Sequence, residues 1–211
     1  MSRGRFITLE GGEGAGKSTQ ARLLTEWLNA QGIEALLTRE PGGSPQGEEL
    51  RALLVQGDEG QWDPLSETLL HFAARREHLR ATIKPALARG VWVVCDRFAD
   101  STMAYQSYGL GVDSSFVATL YDHVVGKERP DLTLVFDLEP EVGMARVAAR
   151  GGDVTRYENM DSTFHCRVRD GFRQIAVAAH DRCVLIDASA DVGKVAEQIR
   201  ALVHERFGAT T

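Results

Sequence analysis

The sequence has few cysteines, few lysines and no long apolar run. Its 211 residues include three cysteines without close spacing, so we expect neither a disulfide framework nor a cysteine metal site. The apolar runs are far shorter than the ~20 residues that a membrane helix needs. Glu10 also comes before any apolar stretch long enough for a signal peptide. We therefore expect a cytoplasmic protein that does not bind membranes.

The sequence also has fewer basic than acidic residues. The chain has 24 Lys and Arg against 30 Asp and Glu, a net charge of −6, which disfavours binding to nucleic acid or to an anionic membrane. Lysine occurs at only four positions, and the other 20 basic residues are arginines. Arginine suits phosphate because its guanidinium is a planar fork. This bias fits a function in phosphate binding, but it fits a GC-rich coding sequence equally well.

Short apolar runs alternate with longer segments of helical period, a pattern that predicts an α/β fold with a parallel sheet. We expect one domain over residues 1–211, because a chain of this length with 43% hydrophobic residues can bury one sizeable core. The candidate strands are Phe6–Glu10, Ala35–Arg39, Val91–Asp96, Leu132–Asp137 and Cys183–Asp187. Each strand ends in a polar residue. We expect these residues at one ligand-binding edge: Glu10, Arg39, Asp96, Asp137 and Asp187.

Helical patterns separate the strands. One follows the first strand, a long one covers residues 66–89, and one closes the chain after Val192. Pro85 is expected to kink the long helix or end it early. Gly151-Gly152-Asp153 interrupts another helical pattern, and such an interruption indicates either a mobile loop or a plain surface turn.

The strongest motif is a phosphate-binding loop between the first strand and its helix. Gly11-Gly-Glu-Gly-Ala-Gly-Lys-Ser18 matches the pattern G-x-x-x-x-G-K-[ST]. Glycines let backbone N–H groups surround a polyphosphate, Lys17 reaches the β- and γ-phosphates, and Ser18 offers its hydroxyl to Mg²⁺. The glycine spacing does not fit a Rossmann motif. The absence of an Asn-Lys-x-Asp tetrapeptide disfavours a regulatory GTPase.

Further features bear on the group that accepts the phosphoryl. Asp96-Arg97 ends a strand, and the pair fits either metal and phosphate binding or a local ion pair. Arg146, Arg150 and Arg156 flank the glycine interruption, which suits a lid over about residues 146–160 as well as a solvated basic face. Phe72 and Arg76 are four residues apart on a helix. Spacing alone favours a core Phe beside a surface Arg.

With these residues placed, the chain resembles the bacterial thymidylate kinases nearly from end to end. The resemblance rests on five segments in order: Phe6–Thr19, Thr38-Arg-Glu-Pro-Gly-Gly43, Phe72-Ala-Ala-Arg-Arg76, Asp96-Arg97 with Ser101-Thr-Met-Ala-Tyr-Gln106, and Arg156-Tyr-Glu158 with Phe164 and Arg167-Val-Arg169. The first segment alone indicates a P-loop kinase. The five together are highly specific to this family.

The resemblance implies a P-loop NTPase fold of the adenylate-kinase type, a homodimer, and transfer of the γ-phosphoryl of ATP-Mg²⁺ to dTMP. Implied catalytic residues are Lys17, Arg97, Asp96, Glu10, Arg146, Arg150 and Arg156. Implied ATP-binding residues are Gly11, Gly12, Glu13, Gly14, Ala15, Gly16, Lys17, Ser18 and Thr19. Implied dTMP-binding residues are Glu10, Arg39, Pro41, Phe72, Arg76, Arg97, Ser101, Thr102, Tyr105 and Gln106. Ser18 would bind Mg²⁺, with Glu10 and Asp96 as further candidate ligands.

Within that set, the resemblance assigns the individual contacts of the acceptor. Phe72 would stack on thymine and Arg76 would bind its exocyclic oxygen, which reverses the preference from spacing alone. Tyr105 would lie against the deoxyribose, where a 2′-hydroxyl would clash. Arg97 would clamp the phosphate of dTMP beside Asp96.

The sequence departs from the family pattern at two places near the substrate. Ser107-Tyr-Gly-Leu-Gly111 stands where many bacterial members have a glycine run and an Arg. The lid reads Gly-Gly-Asp-Val-Thr-Arg156, where the sequence Leu-Asp-Arg is commoner. The first departure motivates an alternative, a kinase for a modified pyrimidine such as 5-hydroxymethyl-dUMP. A catalytically idle nucleotide-binding module is the alternative from another class. The histidines show no metal-ligand spacing.

Overall fold

The computed structural model describes residues 3–56, 60–151 and 155–208. Within these residues, five parallel strands form one sheet in the order β2-β3-β1-β4-β5. The strands are β1 (Phe6–Gly11), β2 (Ala35–Arg39), β3 (Trp92–Asp96), β4 (Leu132–Asp137) and β5 (Cys183–Asp187). The predicted parallel sheet is therefore confirmed, with boundaries that differ by one residue at two strands.

Helices connect successive strands. They are α1 (Lys17–Ala30), α2 (Pro45–Val55), α3 (Pro64–His78), α4 (Lys84–Ala88), α5 (Ala99–Thr102), α6 (Ser114–Val124), α7 (Pro140–Arg150), α8 (Ser162–Ala178) and α9 (Val192–Phe207). Two π-helical segments, Leu79–Ile83 and Met103–Gly109, extend α3 and α5, and a 3₁₀ turn covers Arg156–Asn159. Among the described residues, no helix is long and apolar enough to cross a membrane.

Pro85 changes the long helix without ending it. The α-helical hydrogen bonds of α3 stop at His78, a π-helical turn follows, and α4 begins again with Pro85 in its first turn. Proline has no N–H to donate, so a wider turn before it avoids the clash that an uninterrupted α-helix would create. The chain stays helical across the predicted kink.

The sheet is buried between helices on both faces. On one face α1 and α9 cover β1 and β4, with Leu24, Leu28 and Ile199 in the core. On the other face α3, α4 and α8 cover the sheet around Phe6, Phe98 and other apolar residues. Burial on both sides explains why the strands read as continuous apolar runs. Cys95 and Cys183 are buried, Cys166 is exposed, and all three are free.

The register brings the predicted polar strand ends to one edge of the sheet. Asp96 lies opposite Leu9 of β1 and Arg39 of β2, and Asp137 lies opposite Asp187. Ligands of parallel sheets bind beyond this carboxyl edge. The fold thus places the phosphate loop after β1 and the Asp96-Arg97 pair after β3 next to each other.

Candidate active site

A cavity of about 540 Å³ opens at the carboxyl edge of the sheet. The phosphate loop, the ends of β2 and β3, and one face each of α3 and α7 form its wall. The predicted site residues on this wall are Glu13, Gly14, Ala15, Gly16, Lys17, Ser18, Thr19, Arg39, Pro41, Asp96, Arg97, Ser101, Thr102, Tyr105, Gln106, Arg146 and Arg150. The structure therefore gathers residues from five separate segments around one cavity.

The phosphate loop is shaped by close backbone packing. Gly14 has φ of +66°, and a Cβ there would lie 2.0 Å from the carbonyl oxygen of Gly143 in α7. A Cβ on Gly143 would in turn lie 2.3 Å from the carbonyl oxygen of Glu13. The loop therefore rests directly on α7, the helix that carries Arg146 and Arg150. Glycine at both positions makes this contact possible.

Lys17 is buried in the loop. Its Nζ donates to the carbonyl oxygen of Gly12 at 2.6 Å. Burial, followed by the positive charge of Arg97, lowers the pKa of Lys17 to about 8 despite nearby carboxylates. An anionic ligand in the loop would favour the charged amine and restore the pKa. The loop therefore presents a cationic cradle that suits an anion.

Ser18 and Asp96 are the residues that could hold a divalent cation beside the loop. The Ser18 hydroxyl donates to Oδ2 of Asp96, so both oxygens meet beside the loop. The described residues contain no group of three or more His, Cys, Asp or Glu side chains that could hold a metal ion alone. Mg²⁺ is usually bound by one or two protein oxygens together with nucleotide phosphates and water, so the Ser18 and Asp96 oxygens could take part in such a site.

Glu10 does not occupy the position that the resemblance implies. Its side chain is fully buried and does not reach the cavity wall formed by the described residues. Oε1 accepts from the Phe98 N–H at 2.8 Å and Oε2 accepts from the Ser101 hydroxyl at 2.5 Å. Burial and the nearby Asp100 raise the pKa of Glu10 to about 7. Both carboxylate oxygens are used inside the protein in this structure, and the role of Glu10 as a metal or substrate ligand stays a prediction.

Arg97 lies between the loop and the rest of the cavity. Nη1 donates to the Gly11 carbonyl at 2.9 Å, and Nη2 donates to Oε1 of Glu13 and to the Tyr105 hydroxyl, both at 3.0 Å. The Tyr105 ring supports the guanidinium, whose carbon lies 4.9 Å from the ring centre. Burial alone would raise the pKa of Glu13, but Arg97 and Lys17 hold it at about 2. An incoming phosphate would meet this guanidinium beside the loop.

Helix α3 turns a different face to the cavity from the one predicted. Phe72 is packed in the interior and Arg76 is exposed, whereas His71 and Arg75 line the cavity. Both pairs are four residues apart, and they differ by the 100° that separates neighbours on a helix. The structure therefore places neither Phe72 nor Arg76 at the cavity wall, and the residues that line it are each one position earlier in the chain. The missed signal is the polar series Glu67, His71, Arg75 and His78 along α3.

Arg75 is held by a buried ion pair. Nε donates to Oε2 of Glu40 at 2.8 Å, and Nη2 donates to the Phe98 carbonyl and the Thr102 hydroxyl. Oε1 of Glu40 also pairs with Nδ1 of His78 at 3.0 Å. Among the described residues, Nη1 of Arg75 has no hydrogen-bond partner although it is buried. A buried guanidinium N–H without a partner is costly, so this N–H could donate to a ligand oxygen at the cavity wall.

His71 is a neutral ring in this wall. Burial, reinforced by Arg75 and Arg156, lowers the pKa of His71 to about 3. Its Nε2 pairs with the Tyr157 hydroxyl at 2.9 Å, and Gln106 reaches the same hydroxyl at 3.3 Å. His71, Tyr157 and Gln106 thus join α3, the 3₁₀ turn and the second π-helical segment at one side of the cavity.

The three predicted lid arginines have different surroundings. Arg146 and Arg150 line the cavity, and Arg150 pairs with Glu158 at 3.1 Å. Arg156 is buried, donates to the Leu54 carbonyl at 2.6 Å and pairs with Glu67 at 2.6 Å. In this structure the guanidinium anchors the 3₁₀ turn to α2 and α3, and its contact with the phosphoryl group stays a prediction. Gly152 and Asp153 of the predicted lid lie outside the described residues.

Comparison with known proteins identifies the family. A family model described as thymidylate kinase matches residues 9–199. The chain belongs to the thymidylate kinase family. It is 50% identical over 208 residues to a thymidylate kinase of Caulobacter vibrioides, covering 99% of this chain and 100% of that one. It is 51% identical over 200 residues to a thymidylate kinase of Pseudomonas fluorescens strain SBW25, covering 95% of each chain.

Solved structures support the same family. A crystal structure of thymidylate kinase from Ehrlichia chaffeensis superposes with a TM-score of 0.77 at 38% identity, covering 95% of this chain and 99% of that one. The predicted P-loop NTPase fold is thereby confirmed. This thymidylate kinase family member has a nucleoside monophosphate kinase architecture, with the donor loop and a second, arginine-lined compartment in one cavity.

Proposed function

We propose that this protein transfers the γ-phosphoryl group of ATP to dTMP and forms dTDP for the synthesis of dTTP. The observation that carries the proposal is the buried, unpartnered Nη1 of Arg75 at the wall of a cavity that also contains the phosphate loop. A ligand carbonyl oxygen would satisfy this N–H, and thymine presents one at its 4-position. The names of the relatives point to the same substrate.

The donor half of the cavity is suited to ATP with Mg²⁺. Lys17 and the N–H groups of the loop would hold the phosphates, and Ser18 and Asp96 would hold the metal ion. When bound, Mg²⁺ neutralises phosphate charge and orients the phosphoryl oxygens. Arg146 and Arg150 face the same space and would close on the transferred group as part of a lid over about residues 146–160.

The acceptor half is suited to a pyrimidine deoxynucleotide. Arg97 would bind the acceptor phosphate, Arg75 and Thr102 would face the edge of the base, and the neutral His71 ring would offer it a flat surface. Tyr105 is fixed against Tyr157, Phe164 and Phe172 by edge-to-face contacts, so it forms a rigid floor under the sugar. The reaction would then depend on orientation and electrostatics, without a covalent intermediate.

No contact of the described residues favours the modified-pyrimidine alternative. The altered segment Ser107–Gly111 motivated it, yet Tyr108 and Leu110 pack against the interior formed by Phe164, Val168 and Phe172. Tyr108 lies against Gly171, where a Cβ would meet its ring at 2.7 Å. The altered segment therefore packs against α8 and does not line the described cavity wall.

The function is tested by relative kcat/KM for ADP release over a set of acceptors. We expect dTMP to exceed dUMP, 5-hydroxymethyl-dUMP, dCMP and dGMP, because Arg75 and Thr102 select the base. A higher value with 5-hydroxymethyl-dUMP would instead support the modified-pyrimidine alternative. If no acceptor increases ADP release above the hydrolysis of ATP alone, the idle nucleotide-binding module is the correct interpretation.

We also propose that the protein is a cytoplasmic homodimer that contacts its second copy through α2 and α3. Leu53, Leu65 and Leu69 are each 46–47% exposed on these helices. The neighbouring α6 is apolar, yet Val117 is the one residue of that helix that is fully covered. Exposed leucines grouped beside an uncovered apolar helix are typical of a protein–protein interface.

Leu69→Glu is expected to shift the protein from dimer to monomer, because a carboxylate would be buried in the interface without a partner. Sedimentation velocity at about 20 μM protein measures the change. Val177→Glu is the matched control, since Val177 is 71% exposed on α8, away from α2 and α3. A monomeric wild-type protein, or a dimeric Leu69→Glu variant, would contradict the proposed interface.

A further inference from the structure

Glu10 is a buried carboxylate that the proposed mechanism does not use. It ends the apolar part of β1, directly before the phosphate loop, and its side chain is fully buried. Both hydrogen bonds of its side chain go to the segment Arg97–Ser101 that follows β3. A buried carboxylate is costly unless its charge or hydrogen bonds are matched, so its retention at this point calls for a physical role.

We propose that Glu10 is a positioning residue for the acceptor phosphate: it holds the Arg97 turn and, through Ser101, orients the Arg97 guanidinium toward the phosphate. The inference rests on the proposed function, because it assumes that Arg97 binds the phosphate of the acceptor nucleotide. It assigns Glu10 to the binding of that phosphate without direct contact.

The first part of the argument concerns the backbone. Arg97 has φ of +67°, the one non-glycine residue with positive φ among the described residues. A side chain in this region is strained, and such a conformation persists only where neighbouring contacts hold it. The Arg97 N–H donates to the Leu9 carbonyl at 2.9 Å, and the Phe98 N–H donates to Glu10 at 2.8 Å. The end of β1 therefore fixes the amides on both sides of the strained peptide.

The second part concerns the guanidinium. The Ser101 hydroxyl donates to Oε2 of Glu10, which leaves its oxygen free to accept from Nη1 of Arg97 at 3.2 Å. The same Nη1 donates to the carbonyl of Gly11, the residue after Glu10. Glu10 thus fixes the direction of the Ser101 hydroxyl, and that hydroxyl fixes one edge of the guanidinium. Glu13 and Tyr105 hold the other edge.

This arrangement connects the two substrate sites. Glu10 and Gly11 begin the donor loop, and the same two residues hold the backbone turn and the side chain of the acceptor arginine. Asp100 is the other carboxylate whose charge acts on Glu10. It is already paired with Arg182 through two hydrogen bonds at 2.7 and 2.9 Å. Arg97 is therefore the cation whose orientation depends on Glu10.

The test compares binding of dTMP with binding of thymidine, which has the same base and sugar but no phosphate. We expect Glu10→Ala to raise the Kd of dTMP about 10- to 100-fold, since hydrogen bonds to charged groups contribute this much to affinity. The Kd of thymidine should change by about twofold or less. Glu10→Gln should recover only part of the dTMP affinity, because its amide oxygen can still accept from Phe98 but its NH₂ group cannot accept from the Ser101 hydroxyl. Isothermal titration calorimetry measures both ligands.

Two further variants keep the test decisive. Ser101→Ala breaks the link to the guanidinium without removing the Glu10–Phe98 bond, so it should also weaken dTMP more than thymidine even if Glu10→Ala does not fold. Thr8→Val is the control for a lost polar group, since Thr8 is buried in the same strand and pairs with Thr133. It should bind both ligands like the wild type.

Two results would overturn the inference. One is unchanged dTMP affinity in both Glu10→Ala and Ser101→Ala, and the other is an equal loss of dTMP and thymidine affinity. If the wild type is active on dTMP, either result removes only the role of Glu10. A wild type that binds ATP but neither binds nor phosphorylates dTMP would remove the proposed function as well.

Discussion

Replacing Lys17 with methionine is expected to lower kcat by about three orders of magnitude while the fold is retained. Methionine has a similar length but no charge, so the substitution removes the cation that faces the phosphates of the donor loop. Lys17 is buried, and its Nζ is held by the Gly12 carbonyl at 2.6 Å. No other lysine lines the cavity in the described part of the chain, so the charge cannot be replaced by a neighbour.

The measurement is the rate of ADP release with saturating ATP and dTMP, together with the thermal unfolding midpoint. Lys194→Met is the matched control, because Lys194 is exposed on α9, far along the chain from the loop. We expect wild-type kcat in the control and an unfolding midpoint within a few degrees of the wild type in both variants. A kcat of Lys17→Met within about tenfold of the wild type would contradict the assignment of the donor loop.

The strands and the donor loop could be predicted because their signals are local. A buried parallel strand is a short apolar run, and the loop is a contiguous octet, so neither depends on distant residues. The common edge of Glu10, Arg39 and Asp96 followed from the rule for parallel sheets, and the register confirms it. For the five strands, a short segment carries the whole signal.

Burial of polar side chains could not be predicted in the same way. Glu10 ends its strand at the expected edge, but Phe98 and Ser101, which bind its carboxylate, are about 90 residues away in sequence. Arg156 has the same difficulty, since its partners Glu67 and the Leu54 carbonyl belong to other helices. A charged residue near a motif predicts a ligand contact, whereas long-range packing makes each of these two residues an internal anchor.

In helix α3, a shift of one residue changes which face of the helix is assigned to the cavity. The pairs His71/Arg75 and Phe72/Arg76 have identical spacing, so periodicity alone cannot choose between them. Tertiary contacts decide which face is turned inward. Glu40, which follows β2, pairs with Arg75, and Arg76 is exposed to solvent. The two adjacent arginines therefore provide a direct comparison of the two faces.

Arg75→Ala is expected to lower kcat/KM for dTMP about 100- to 1000-fold and to reduce the preference for dTMP over dCMP. Nη1 of Arg75 is the donor that would bind the 4-carbonyl of thymine, and cytosine carries an amino group there that cannot accept this hydrogen bond. A site built to bind one polar group discriminates strongly against a ligand that lacks it. Removal of the arginine also leaves Glu40 with only the His78 contact, which adds to the loss.

Arg76→Ala is the matched control, with the same substitution one residue along the helix on the exposed face. We expect its kcat/KM for dTMP and its ratio for dTMP over dCMP to stay within about twofold of the wild type. Both variants are measured with dTMP and dCMP in the same ADP-release assay. If Arg76→Ala loses the base preference and Arg75→Ala keeps it, the base is read from the opposite face of α3. If both variants keep it, the base edge is recognised by groups other than α3, and the buried N–H of Arg75 has a structural role alone.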